Sequence, residues 1–136
     1  PFTENNADAC FDTNLNYNNN YRFYRVAEAY LNAAELLLET GGDANLAKDY
    51  VNKIRRRAGI TELGAVTLDD VINERHLEFV GEGKRYFDLV RTGKAATVLV
   101  PDSYGYRTNS WTESKKYIPI AQAELDSDPA LVQNNY

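Results

Sequence analysis

Five side chains within one stretch of the C-terminal third have the chemistry to bind a polar ligand: Tyr104, Tyr106, Arg107, Asn109 and Trp111. Sugars stack their C–H faces on aromatic rings, and their hydroxyl groups hydrogen-bond to amide and guanidinium groups. Tyr104 and Tyr106 would share a face if this segment is extended, and Trp111 offers the largest stacking surface. Alternatively, the rings anchor a long irregular segment to the protein body, and this is the role we expect.

Residues that could support catalysis are few. His76 is the only histidine and Cys10 the only cysteine, so a zinc site lacks nitrogen and sulfur ligands. No serine or cysteine nucleophile stands beside His76 in the sequence, and no phosphate-binding glycine loop is present. The sequence therefore predicts no catalytic residue, no metal and no cofactor.

Three glutamates, Glu74, Glu78 and Glu82, are spaced four residues apart on a predicted helix. Paired carboxylates on either side of a sugar are the groups that glycoside hydrolysis requires. Arginines surround these glutamates, however, and this favours a network of salt bridges over a catalytic pair. An enzyme acting on glycans is accordingly the least supported interpretation.

Arg75 falls in the apolar stripe of the same helix, between Ile72 and Phe79. A guanidinium group in that position needs a carboxylate partner, because an unpaired buried charge costs several kcal/mol. Glu78 and Asp88 are the two candidates. We predict a buried structural ion pair that joins the third helix to the fourth.

The overall charge excludes some classes of partner. The formal net charge is −5 and the isoelectric point is near 4.9, whereas nucleic acids and anionic membranes require a basic surface. No run approaches the roughly twenty apolar residues of a membrane span.

Apolar periodicity predicts two helices in the first half of the chain. The first should cover residues 23–40 and the second residues 44–58. Asp43 is a suitable N-cap for the second helix, and Gly59 a suitable left-handed residue after its end. The residues expected to be buried are Val26, Tyr30, Ala33, Ala34, Leu37 and Leu38 in the first helix, and Leu46, Ala47, Tyr50, Val51 and Ile54 in the second.

A second pair of helices is predicted after Thr67, which forms a near capping box with Asp70. The third helix should continue to about Val80, and the fourth should cover residues 84–92. The fold class is thus mostly α. Tetratricopeptide-like αα-hairpins at residues 22–60 and 67–94 follow a loop at residues 1–21, and a long irregular segment at residues 95–136 packs on the helices. We expect residues 1–136 to form a single domain.

Three blocks of the sequence resemble the SusD/RagB family. The central block, ER-x-LEF-x-x-EG-x-RYFDLVR-TGK, begins at Glu74 and is similar to that family's hallmark helix pair near the C-terminus. The hairpin at residues 22–60 and the ending at residues 117–136 resemble the flanking family segments, in the same order. His76, Ala121 and the final Asn-Asn-Tyr depart from the usual family residues.

The resemblance implies a non-catalytic protein that binds oligosaccharides or other nutrients at the bacterial outer-membrane surface. It further implies delivery of the ligand to a SusC-like, TonB-dependent transporter. Members are lipid-anchored through an N-terminal cysteine, but Cys10 follows neither a positively charged nor an apolar leader segment. We therefore expect the chain to be the C-terminal portion of a longer precursor that carries the anchor cysteine. The alternative function is a helical-repeat module that binds other proteins.

Overall fold

The computed structural model describes residues 23–136, and the loop predicted at residues 1–21 lies outside the described residues, as does Cys10. The described part contains helices and no strand, which confirms the mostly α fold class. Its elements in chain order are α1 (Val26–Glu39), α2 (Ala44–Ala58), α3 (Leu68–Glu78), α4 (Arg85–Arg91), α5 (Ala95–Val98), a 3₁₀ helix (Glu113–Lys116) and α6 (Gln122–Ser127).

The chain divides into two compact units, and the boundary lies within α3. The first unit ends at Val71 and the second comprises Ile72–Tyr136. The single domain expected for residues 1–136 stays a prediction.

Helices α1 and α2 form an αα-hairpin with an apolar interface. Two residues that were expected to be buried are exposed: Val26 by 69% and Leu46 by 39%. The buried face of α1 begins one residue later than expected, because a 3.6-residue period tolerates a shift of one position when apolar residues are adjacent. The buried apolar side chains are Ala27, Leu31 and Ala34 of α1 and Ala47, Val51 and Ile54 of α2.

Local signals define both ends of α2. The carboxylate of Asp43 accepts hydrogen bonds from the backbone N–H groups of Asn45, at 2.8 Å, and Leu46, at 3.2 Å, which confirms the predicted N-cap. Gly59 follows the helix with φ of 72°, a conformation that favours glycine.

The connection from α2 to α3 is held by a buried amide. Asn52 donates from Nδ2 to the carbonyl of Leu63 at 3.0 Å and accepts through Oδ1 from the N–H of Leu63 at 2.9 Å. Before α3, the Asp70 carboxylate accepts from the backbone and hydroxyl of Thr67, and the Thr67 hydroxyl accepts from the Asp70 N–H. These bonds confirm the predicted capping box.

The segment after α4 has more structure than predicted. Residues 95–98 form the short helix α5, within the segment that was predicted to be irregular. Near the C-terminus, Gln133 donates to the carbonyl of Ile120 and accepts from its N–H, both at 2.9 Å. Asn134 donates to the carbonyl of Ile118 at 3.0 Å. The side-chain amides of Gln133 and Asn134 thus make hydrogen bonds to backbone groups of the kind that a neighbouring strand would otherwise make.

Candidate ligand-binding site

A single carboxylate organises the loop that carries the predicted ligand-binding residues. Asp102 accepts hydrogen bonds from the backbone N–H groups of Tyr104 at 2.8 Å, Tyr106 at 3.1 Å and Arg107 at 2.6 Å. Its own N–H donates to the carbonyl of Arg107 at 3.0 Å. Gly105, at φ of 79°, supplies the left-handed residue that closes the loop.

The ionised form of Asp102 is favoured by these bonds. Loss of solvation raises the pKa of the Asp102 carboxyl, but backbone hydrogen bonds from Arg107, Tyr104, Tyr106 and Gly105 outweigh this effect. The net pKa therefore lies below the usual aspartate value. The loop is therefore held together by a carboxylate that is charged at neutral pH.

Tyr104 and Tyr106 form an exposed aromatic pair at the tip of this loop. Their ring centroids are 6.4 Å apart with an interplanar angle of 35°, and the residues are 84% and 92% exposed. The chain is not extended at these two residues, because residues 103–106 form a turn and a bend. The two rings are neighbours because the turn folds them together.

The other three predicted residues, Arg107, Asn109 and Trp111, line a shallow pocket of about 230 Å³. Tyr104 and Tyr106 are not among its lining residues. The structure therefore separates the five candidates into an aromatic tip and a polar-aromatic pocket. The pocket is completed by Tyr86, Leu99, Ser110 and Lys115.

Backbone carbonyl groups hold the pocket walls in place. Arg107 donates from Nη1 to the carbonyl of Val98 at 3.3 Å, and the N–H of Trp111 donates to the carbonyl of Leu99 at 3.0 Å. Tyr86 donates its hydroxyl to the carbonyl of Lys115, 29 positions further along the chain. The first two bonds attach the loop to the end of α5, and the third attaches the 3₁₀ helix that follows the loop to α4.

Trp111 is half-buried, and its Nε1 atom is buried with no hydrogen-bond partner among the residues that the structure describes. A buried donor without an acceptor costs about 1–3 kcal/mol. The N–H edge therefore cannot reach a ligand in the observed conformation, whereas the exposed part of the indole lines the pocket. This orientation suits the anchor role and leaves a stacking surface.

Four of the lining residues escaped sequence reasoning: Tyr86, Leu99, Ser110 and Lys115. Ser110 and Lys115 flank the aromatic cluster, so a wider window around Trp111 would have included them. Tyr86 belongs to α4, and Leu99 follows α5. Nothing in the sequence spacing indicates that these two residues meet the loop.

The buried arginine of the second unit has a carboxylate partner. Arg75 donates from Nε to both oxygens of Asp88, at 3.1 Å and 3.0 Å, and the side chains are only 5% and 4% exposed. Arg91 donates to the same Oδ1 from Nη2 at 2.8 Å. Of the two carboxylates considered, Asp88 thus lies in contact with Arg75, and it serves two guanidinium groups at once.

Features that would support catalysis are sparse in the described residues. His76 is exposed on α3. No group of three or more histidine, cysteine or carboxylate side chains that could hold a metal occurs in residues 23–136. Over the same range, every helix is too short or too polar to cross a membrane.

Comparison with known proteins identifies the family. The sequence model of the SusD family matches residues 2–136, and the chain belongs to this family. Starch-binding protein SusD of Bacteroides thetaiotaomicron is 35% identical over 115 residues. That alignment covers 82% of this chain and 20% of the relative.

Solved structures show the same arrangement at higher identity. Surface glycan-binding protein A from Bacteroides uniformis is 65% identical with a TM-score of 0.82, covering 94% of this chain and 30% of that one. Surface glycan-binding protein A from Bacteroides thetaiotaomicron, in complex with laminarihexaose, is 62% identical with a TM-score of 0.80. That match covers 91% of this chain and 27% of the other. The chain thus spans less than a third of the length of these relatives.

Proposed function

We propose that the protein to which these 136 residues belong binds glycans without modifying them. The observation that supports this best is the solved relative at 62% identity that holds laminarihexaose. A starch-binding relative at 35% identity points to the same ligand class. Within the described residues, the aromatic rings and the Asn109 amide around Trp111 have suitable chemistry for a sugar.

The second part of the proposal concerns delivery and location. Family membership supports a lipid-anchored protein at the outer-membrane surface that passes its ligand to a SusC-like, TonB-dependent transporter. A helical surface suits this role, because an αα-hairpin such as α1 and α2 buries one face and leaves the other open for a partner. A wide interface with the transporter is expected.

Calorimetric titration of the full-length protein with laminarihexaose tests the binding proposal, with maltohexaose as the starch-type comparison. We expect saturable binding of at least one of the two glycans. Incubation with each glycan followed by product analysis should release no shorter sugar. Absence of binding to both, or appearance of shorter products, would contradict the proposal.

Replacement of Trp111 by alanine separates the anchor role from the ligand role. If the indole stacks on sugar, affinity should fall by about 1–3 kcal/mol, by analogy with base–aromatic stacking, while helical content is unchanged. If it anchors the loop, the melting temperature falls and affinity per folded molecule is unchanged. We expect the anchor result, because the Nε1 edge is turned inward. The double variant Y104A/Y106A, which removes the two exposed rings at the tip of the loop, is measured in the same two ways for comparison.

Co-purification from native outer membranes in mild detergent tests delivery. We expect a β-barrel transporter to accompany the full-length protein. Recovery of the protein alone from membranes that contain the barrel would count against this part of the proposal, while leaving glycan binding intact.

A further inference from the structure

A second pocket, of about 500 Å³, lies in the second unit at the corner between α3 and α4. It shares Tyr86, and no other lining residue, with the pocket around Trp111. Gly81 and Gly83 take φ of 81° and 71° there, so the chain reverses without side chains at those positions. The full lining is Arg75, His76, Phe79, Val80, Gly81, Gly83, Arg85 and Tyr86.

The two charged side chains that line this pocket, Arg75 and Arg85, are both cationic. Two guanidinium groups and an imidazole line it, and no carboxylate does. Arg75 already contacts Asp88, so the distinguishing group is Arg85. Its Nη1 atom is buried and has no hydrogen-bond partner in residues 23–136. A buried cationic donor without an acceptor is costly, and a carboxylate oxygen is the acceptor that a guanidinium group binds most strongly.

The surroundings of the pocket are apolar. Val80 is 71% exposed, and Leu77 and Phe87, on the adjoining helices, are each 56% exposed. Phe79 forms the buried floor, with the Arg75 guanidinium carbon 5.3 Å and Lys84 Nζ 5.5 Å from its ring centroid. A partner that fills this site would need a negative group beside apolar side chains, since both kinds of surface would otherwise stay uncovered.

We propose that this corner is a docking site for a polypeptide segment that presents an aspartate or glutamate side chain flanked by apolar residues. The segment belongs to the part of the full-length protein outside these 136 residues, because the chain spans only 30% of the Bacteroides uniformis structure. The carboxylate contacts the part of the half-buried Arg85 side chain that lines the pocket, and the flanking side chains cover Val80 and its apolar neighbours. The proposal is independent of glycan binding.

The imidazole resonances of His76 can report binding at this pocket, because His76 is the only histidine of the chain and lines the pocket. The 136-residue chain, labelled with ¹⁵N, is titrated with a capped leucine–glutamate–phenylalanine peptide while the imidazole resonances are followed. The glutamine analogue of the peptide is the control for charge. We expect saturable shifts with the glutamate peptide and about tenfold weaker binding of the glutamine peptide.

Variants and a longer protein complete the test. Arg85→Gln should weaken the glutamate peptide about tenfold, whereas Arg57→Gln, in the first unit, should have no effect. Circular dichroism confirms folding, and Arg85→Lys serves as the second variant if Arg85→Gln does not fold. In the full-length protein the site is already occupied, so the added peptide should not bind.

Three outcomes would overturn the proposal. The first is equal affinity of the glutamate and glutamine peptides, or no saturable shift with either. The second is glucuronate binding as tightly as the glutamate peptide, which would indicate an acidic sugar site. The third is undiminished peptide binding to the full-length protein, which would mean that the partner is a separate molecule.

Discussion

The two units of the chain are stabilised by different kinds of interaction. In the unit that ends at Val71, the buried side chains are mainly apolar and come from the paired helices α1 and α2. In the unit that begins at Ile72, three of the buried side chains carry charge: Glu74, Arg75 and Asp88. Its C-terminal segment is held by side-chain amides that bind backbone groups.

The difference predicts how each unit responds to change. Apolar packing is non-directional and tolerates a change of polar surface groups, whereas a buried ion pair depends on the presence of both partners. Truncation of an apolar side chain should therefore damage the first unit most. Loss of one polar partner should damage the second unit most. The predictions below proceed from the largest expected effect to the smallest.

The largest effect is expected from Arg75→Ala. Removal of the guanidinium group leaves the Asp88 carboxylate buried beside Arg91 alone, and breaking a buried pair costs about 3–5 kcal/mol. Arg91→Ala is the matched control, because Arg91 binds the same oxygen but its side chain is 42% exposed, and we expect about 1 kcal/mol or less. Urea denaturation gives the free energy of unfolding. Equal stability of wild type and Arg75→Ala would show that the second unit does not depend on this buried ion pair.

In the first unit, Leu31→Ala should reduce the free energy of unfolding by about 2–5 kcal/mol, because the fully buried side chain leaves a cavity. Leu36→Ala on the same helix serves as the control. Leu36 is 61% exposed, and the change should stay within about 0.5 kcal/mol. If both variants lose the same stability, α1 does not depend on a single buried face.

A smaller effect is expected at the C-terminus from Gln133→Ala. The substitution removes both hydrogen bonds to Ile120, and we expect a loss of about 1 kcal/mol, since the backbone groups that lose them are partly accessible to water. Gln122→Ala is the control, because the Gln122 amide binds only the exposed Asp126. Hydrogen exchange at Ile120 should accelerate in Gln133→Ala and not in Gln122→Ala.

The smallest effect concerns pH and the loop at Asp102. Its pKa is depressed in the folded state, so the carboxylate's contribution to stability is present above the unfolded pKa and is lost as pH falls through the folded value. NMR titration should show the N–H resonances of Tyr104, Tyr106 and Arg107 moving together, with a midpoint below that of an ordinary aspartate. Asp102→Asn should abolish this transition. A midpoint at or above the ordinary value would contradict the assignment.

Much of the helical framework was predictable from sequence. The bounds of α2 were predicted without error, because Asp43 and Gly59 act on backbone groups within a few residues of themselves. The capping box of Thr67 and Asp70 was predictable for the same reason. The buried face of α1 was harder to predict, since Val26 and Ala27 are both apolar and only packing decides which one is buried.

The candidate site was only partly predictable. Local composition indicated five residues, but the structure divides them between the tip and the pocket around Trp111. The turn that pairs Tyr104 with Tyr106 depends on Asp102, whose role becomes clear only when its three backbone donors are located. Periodicity carries no information about such irregular segments.

By itself, the sequence determined the helical class, the caps of α2 and the requirement that Arg75 find a carboxylate, because each follows from interactions within a few residues or from the cost of burying a charge. The tertiary structure alone decided that Asp88 lies beside Arg75 and that Tyr86 meets the backbone of Lys115. It also decided which residues surround Trp111 and which atom of Arg85 is left without an acceptor. These contacts join residues that are distant along the chain, and only the packing of the folded chain brings them together.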